Sequence, residues 1–137
     1  MRVMCLDIGE KRCGVAVSDA TGTVASPLGV VATCDVLKSA PPFRRMLEDY
    51  EPALLLCGLP LTLAGEEGPQ AARVRACAEQ VSAASGIDVA FADERLSTHE
   101  ARRVAREAGA NGRAQRGKLD ALAATVVLQT YLDTSKA

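Results

Sequence analysis

The stretch Leu6-Asp7-Ile8-Gly9-Glu10-Lys11-Arg12-Cys13-Gly14-Val15-Ala16-Val17-Ser18-Asp19 decides how the chain folds. Its first residues close the run 2–8, RVMCLDI, which is apolar at consecutive positions. That pattern marks a central strand covered on both faces. Asp7 sits inside the run, where the only other charge is Arg2 at its start. A carboxylate among apolar neighbours is costly unless a cation offsets its desolvation, either a metal or a nearby Lys or Arg. Asp7 is therefore the residue around which a site is sought.

Working outward, residues 9–12 are a short connection and 13–18 a second apolar strand. Residues 19–23, DATGT, hold turn-favouring types, and 24–32 read as a third strand in which Pro27 implies an edge position or a bulge. Three strands on short turns predict an antiparallel meander. Prolines 41 and 42 open a helix with Phe43, Met46, Leu47 and Tyr50 on one face, stopped by Pro52. Residues 53–58, ALLLCG, read as a buried strand, and 59–70 as a loop. A helix carrying Ala71, Val74, Cys77, Ala78 and Val81 stops at Gly86, and 87–92 form a fifth strand. Ser97-Thr98-His99-Glu100 is a capping-box pattern opening another helix; 109–117 is a glycine- and arginine-rich loop expected to be mobile; and 119–132 is the last helix.

The order βββαβαβαα predicts an α/β fold in one domain over residues 1–137. Its mixed five-stranded sheet has the order 3-2-1-4-5, strand 2 antiparallel, with helices on both faces. Ligands in such sheets sit at the carboxyl ends of strands where the winding reverses. Asp7 at the end of strand 1, Asp93 and Glu94 at the end of strand 5, and the 59–70 loop all meet that edge.

Composition narrows the function. Aromatics are 3% with no Trp, which argues against base-stacking platforms. The net charge of −1 predicts no polyanion partner in bulk, yet Arg95, Arg102, Arg103, Arg106, Arg113, Arg116 and Lys118 cluster against only Glu100 and Glu107. That is either a phosphate-backbone surface or a solvated helix face. Cys5, Cys13, Cys34, Cys57 and Cys77 show no C-x-x-C spacing, and there is one His, so a zinc site is not expected. With no signal-peptide pattern and no apolar run near the ~18 residues of a membrane helix, the expectation is a cytoplasmic protein without a membrane partner.

The acids support one chemistry in particular. Two divalent ions, Mg²⁺ or Mn²⁺, held by several carboxylates, activate water and stabilise the leaving oxygen in phosphodiester hydrolysis. The candidate catalytic residues and metal ligands are Asp7, Glu94 (or Asp93) and Asp120, the last expected in the first turn of the final helix. Each has a plainer alternative: an Asp7 pair with Lys11 or Arg12, an Asp93 or Glu94 pair with Arg95, and Asp120 complementing the helix dipole. Lys11 and Arg12 are hairpin surface charges or phosphate contacts. His99 is read as a surface residue, and Glu66 and Glu67 as exposed loop acids.

The chain resembles the YqgF family, also called RuvX, the RuvC-like branch of the RNase H-like superfamily. The match rests on Leu6-Asp7-Ile8-Gly9-x-Lys11-Arg12-x-Gly14 through Asp19, Gly58-Leu59-Pro60-Leu61, Gly65-x-Glu67-Gly68-Pro69-Gln70-Ala71, Asp93-Glu94-Arg95-Leu96-Ser97-Thr98, and Asp120-Ala121-Leu122-Ala123-Ala124 through Leu128-Gln129-x-Tyr131-Leu132. Five ordered blocks at family spacing are a specific signal. The resemblance implies an RNase H-like fold and a metal-dependent nuclease acting on structured nucleic acid, in 5′-end processing of pre-16S rRNA or, alternatively, on four-way Holliday junctions. It matches Asp7, Asp93-Glu94 and Asp120 to the family's acids. Lys11, Arg12, Arg95, Arg102, Arg106, Arg113, Arg116 and Lys118 are the expected nucleic-acid contacts. A non-catalytic RNA-binding factor for ribosome biogenesis is the reading from another class. The oligomeric expectation is a monomer or a homodimer. Thr62, Ala64 and Cys13 depart from the family pattern.

Overall fold

A computed structural model describes residues 1–94 and 116–135, the side chains of 116–120 and 135 excepted. Strands β1 (Val3–Ile8), β2 (Arg12–Ser18) and β3 (Ala25–Ala32) are followed by helices α1 (Thr33–Lys38) and α2 (Pro41–Tyr50). Then come β4 (Leu54–Leu59), α3 (Pro69–Ser85), β5 (Val89–Asp93) and α4 (Arg116–Ser135). The sheet order is β3-β2-β1-β4-β5. β2 is antiparallel to β1 and β3, while β4 is parallel to β1 and β5. The mixed five-stranded sheet expected from the sequence is the sheet observed, and β1 is its switch point.

Strand alternation divides the core in two. Met4, Leu6 and Ile8 of β1 join Val15, Leu55, Cys57, Phe43, Val74 and Val81 on the face covered by α1, α2 and α3. Val3 and Cys5 join Ala16, Leu56, Ala124, Val127, Leu128 and Leu132 on the face covered by α4. A central strand buried from both sides is what the unbroken apolar run in β1 encodes. Cys5, Cys13 and Cys57 are fully buried and serve as small apolar side chains. No disulfide links the five cysteines.

Pro27 meets both of its predicted conditions. It lies on the edge strand β3, and the β2–β3 register steps from Val15↔Gly29 to Ala16↔Pro27, leaving Leu28 as the bulged residue.

Two local expectations are corrected. Residues 33–38 form a helix the sequence does not announce, because Thr, Cys, Asp and Val are weak helix formers and no side chain caps its start. Burial of Val36 holds the turn in place, and Ser39 at φ 50 closes it. The last helix begins at Arg116 and not at Leu119, running through Gly117, so Asp120 lies beyond the first turn. A glycine costs about 1 kcal/mol inside a helix relative to Ala, which a long packed helix absorbs. The expected helix from Ser97 and residues 109–115 of the expected mobile loop lie outside the described residues. Among the described residues, no helix is long and apolar enough to cross a membrane.

Candidate active site at the carboxyl edge of the sheet

Asp7 alternates with Val3 and Cys5, so it belongs to the α4 face of β1, and it is half-buried. On β2 its partner is Gly14. The β1–β4 register runs from Val3↔Leu54 to Leu6↔Cys57. One step further along the two strands come Asp7 and Gly58. The carboxylate is thus flanked by a glycine on each neighbouring strand, and no side chain stands beside it in the row.

That room is taken by Glu94. A Cβ built on Gly58 would lie 2.8 Å from Oε1 of Glu94 and 3.1 Å from its Cγ. Gly58 shares its face with Leu56, on the α4 side, so the Glu94 side chain crosses the sheet end toward Asp7 on that side. Asp93 is placed differently. It pairs with Leu59 and alternates with Val89 and Phe91, whose core is the one under α3. The register therefore separates the two adjacent acids and brings Glu94, not Asp93, to the face of Asp7.

The buried Cys5 thiol registers the same convergence. Burial pushes it well above its ordinary range first, and Cys57, Asp7, Cys13 and Glu94 add to the effect. Fields from both carboxylates reach one sulfur two residues from Asp7.

α4 closes this face from the other end. Gln129 accepts from the Ala25 backbone N–H through Oε1 (2.9 Å) and donates through Nε2 to the Thr23 carbonyl (3.0 Å). Ala25 pairs with Ser18, whose Oγ accepts from the Val3 N–H (2.8 Å). The carboxyl half of α4 is therefore fixed at the amino end of β1, and its first turns run toward the carboxyl end. Stepping back from Gln129 to Asp120 covers ~13 Å at 1.5 Å per residue, and Val3 to Asp7 is also ~13 Å at 3.3 Å per residue. Asp120 precedes the buried Ala124 by four residues, on the same helical stripe.

The hairpin after Asp7 is anchored at nearly every carbonyl. Gly9 N–H donates to the Arg12 carbonyl (2.9 Å), and a Cβ on Gly9 would stand 2.6 Å from that oxygen, so only glycine closes this turn. Thr33 donates its backbone N–H to the Lys11 carbonyl (2.9 Å) and its hydroxyl to the Gly9 carbonyl (2.8 Å). Arg73 of α3 donates Nη2 to the Ile8 carbonyl (3.0 Å) and Nε to Oε1 of Gln70 (3.1 Å). Lys11 and Arg12 project from this braced turn and are exposed.

Thr33 and Arg73 escape a reading of the sequence. The signal that points to Arg73 is its place one turn into the helix opened by Pro69-Gln70, behind a loop leaving the site edge. Of the other expected nucleic-acid contacts, Arg95, Arg102, Arg106 and Arg113 lie outside the described residues. Arg116 and Lys118 lie in the first turn of α4.

The expected 59–70 loop is shortened at both ends, by Leu59 in β4 and by Pro69 and Gln70 in α3. Leu61 bridges to Glu67, Thr62 N–H donates to the Glu66 carbonyl (2.9 Å), and the Leu63 side chain is fully exposed at the tip. Glu67 faces Arg75, whose Nη2 donates to Oε2 at 3.0 Å and whose guanidinium lies over the Phe91 ring (4.6 Å). That pairing keeps Glu67 on the α3 side, away from Asp7.

The family model described as "RuvX: Holliday junction resolvase" matches residues 1–134. The chain belongs to the RuvX family. It is 39% identical over 137 residues to a Thermoanaerobacter pseudethanolicus protein, covering 99% of each chain. It is 41% identical over 133 residues to a Moorella thermoacetica protein, covering 97% of this chain and 95% of the other. Both relatives are named "Putative pre-16S rRNA nuclease". Among solved structures, Thermus thermophilus RuvC in complex with a Holliday junction substrate superposes with a TM-score of 0.59 at 18% identity, over 100% of this chain and 98% of that one. The fowlpox virus resolvase with Holliday junction DNA gives 0.56 at 13% identity, over 100% of both chains. These similarities show a RuvC-like RNase H fold, and the strand order agrees with them.

Proposed function

We propose that this RuvX-family chain is a metal-dependent nuclease that hydrolyses phosphodiester bonds of structured RNA, acting on precursor 16S rRNA as its relatives' names indicate. The observation that carries the proposal is the Glu94 side chain lying across Gly58 on the face of Asp7. It supports a site of two carboxylates from distant parts of the chain at the switch point of the sheet. The direction of α4, fixed by Gln129, supports Asp120 as the third.

The donor set fits a hard divalent cation. It offers carboxylate oxygens without His or thiolate, and the glycine at 58 lets the Glu94 carboxylate come to the face of Asp7. Asp7, Glu94 and Asp120 would hold Mg²⁺ or Mn²⁺; Asp93, on the opposite side of the strand, is the weaker candidate. When bound, a pair of such ions supplies water activation and charge neutralisation at the scissile phosphate.

The chain's own residues do the rest. Asp7 and Glu94 accept hydrogen bonds from the attacking water and so orient it. Lys11 and Arg12, on a turn that cannot move freely, hold phosphates in register with Asp7. Arg95, Arg102, Arg106, Arg113, Arg116 and Lys118 are the further phosphate contacts that the basic composition of this part of the chain supports.

The family description favours a second substrate, the four-way DNA junction. One assay separates the two: Mn²⁺-dependent cleavage of precursor rRNA against a four-way junction, wild type beside Asp7→Asn. Cleavage of the RNA by wild type and its loss in Asp7→Asn, with circular dichroism unchanged, is expected. Cleavage of the junction alone transfers the activity to DNA. Retained RNA binding with no turnover under any metal replaces the enzyme by a binding factor.

A further inference from the structure

We infer that Arg73 is a positioning residue of this site, acting through the Ile8 carbonyl to hold Asp7 in its working orientation. The inference rests on the nuclease reading above and adds a residue to it.

β1 ends one residue beyond Asp7. The β1–β4 ladder is in register as far as Leu6↔Cys57, whereas β1 remains paired with β2 through Asp7↔Gly14 and Ile8↔Cys13. Ile8 is the last residue of β1, where the chain leaves the strand for the hairpin. A carboxylate one residue from a strand end is held more firmly when that end is restrained, since strand ends fray.

Arg73 supplies one. Its Nη2–H donates to the Ile8 carbonyl at 3.0 Å, and the guanidinium is itself aligned by Oε1 of Gln70 at 3.1 Å. A charge-assisted bond of this kind is stronger than a neutral one, and the planar fork holds a direction that an ammonium does not. Arg73 stands on the α3 side of the sheet and Asp7 on the α4 side, so Arg73 reaches the site through the backbone and not by touching the carboxylate. Thr33 completes the brace at the next residue through the Gly9 carbonyl. Ile8 and Gly9, the two peptides that follow Asp7, are both pinned by side chains from the helical layer.

The test compares wild type, Asp7→Asn, Arg73→Gln, Arg73→Lys and Gln70→Ala. The readouts are kcat and KM on precursor rRNA with Mn²⁺, Mn²⁺ affinity by calorimetry, amide hydrogen exchange at Ile8 and Gly9, and Tm. Arg73→Gln is expected to lower kcat and Mn²⁺ affinity by about 10- to 100-fold, the range for groups that orient metal ligands. KM should change little, and exchange at Gly9 should speed up. Arg73→Lys should recover part of each loss. Gln70→Ala, which keeps the guanidinium and frees it to rotate, covers the case in which Arg73→Gln folds poorly and should give a smaller loss of the same kind. Wild-type kcat and Mn²⁺ affinity in Arg73→Gln overturn the inference while the nuclease reading stands, provided wild type cleaves and Asp7→Asn does not. Losses that merely follow the folded fraction, with Mn²⁺ affinity unchanged, overturn it as well. If wild type neither cleaves nor binds Mn²⁺, the nuclease reading falls and the inference falls with it.

Discussion

Oε1 of Glu94 lies 2.8 Å from the point where a side chain on Gly58 would begin. The glycine therefore leaves the space that the Glu94 side chain occupies, and a larger residue at 58 makes that side chain shift. Gly58→Ala has no positive φ to strain and sits in a strand, so the fold should survive while the carboxylate is displaced. Metal-dependent cleavage is expected to fall by roughly 10- to 100-fold, with Tm nearly unchanged. Glu94→Gln should do at least as much harm, and Asp93→Asn much less, since Asp93 pairs with Leu59 and alternates with the residues of the α3 face. Equal losses in Asp93→Asn and Glu94→Gln would refute the division of the two acids between faces.

Leu128 is fully buried between the sheet and α4. Leu128→Ala should cost about 2–5 kcal/mol in urea unfolding, the range for a core leucine replaced by alanine. Because α4 also carries Asp120, cleavage should fall beyond what the lost folded fraction explains. A change under about 0.5 kcal/mol, the size of an ordinary surface substitution, would show that α4 does not pack as described.

Glu67 and Arg75 make stability pH-dependent. The hydrogen bond from Arg75, with its charge behind it, holds the Glu67 carboxyl below its ordinary value of 4.5. A carboxyl lowered in the folded state adds stability that is complete above that value and is lost as pH falls through the folded one. Arg75→Ala should thus lie below wild type in urea melts at neutral pH, and the gap should narrow in acid. The Phe91 contact of Arg75 leaves a remainder that does not titrate. A gap that stays constant from neutral to acid pH would exclude the Glu67 contribution.

Thiol chemistry checks the core. Cys34 is exposed, whereas burial pushes Cys57 up to about 12 and Cys5 well above its ordinary range. The thiolate is the reactive form, so native protein treated with a disulfide reagent should label Cys34 rapidly and Cys5 and Cys57 only on unfolding. Rapid native labelling of Cys5 or Cys57, located by peptide mapping, would contradict the packing.

The sheet was legible in the sequence because its central strands announce themselves through runs that no surface strand can carry. Residues 2–8 and 53–58 are apolar at odd and even positions alike, which needs cover on both faces, and α3 and α4 provide it. Asp7 was legible for the complementary reason, as the charge that such a run cannot hold unaided. The choice between Asp93 and Glu94 was not, because adjacent residues differ only in strand parity, and parity is set by the pairing of Gly58 with Ala92. Thr33 and Arg73 were hidden because what matters about them is a bond to a carbonyl far away in the chain. A backbone carbonyl has no signature in the sequence. The helix at 33–38 was hidden because burial of Val36, and not local propensity, makes it.

Gln129 ties the last helix to the beginning of β3, and that tie bears on how the protein comes into being. During synthesis the first three strands emerge together and can close into their meander, carrying Asp7 alone. Glu94 can join Asp7 only after β5 has been made and laid beside β4, and α4, made last, brings Gln129 to Thr23 and Ala25. Under the proposed function, a chain still short of α4 lacks Asp120 while ribosomal RNA is close at hand. A nuclease built on these acids would then be completed only as its last helix is made, which would spare the ribosome that makes it.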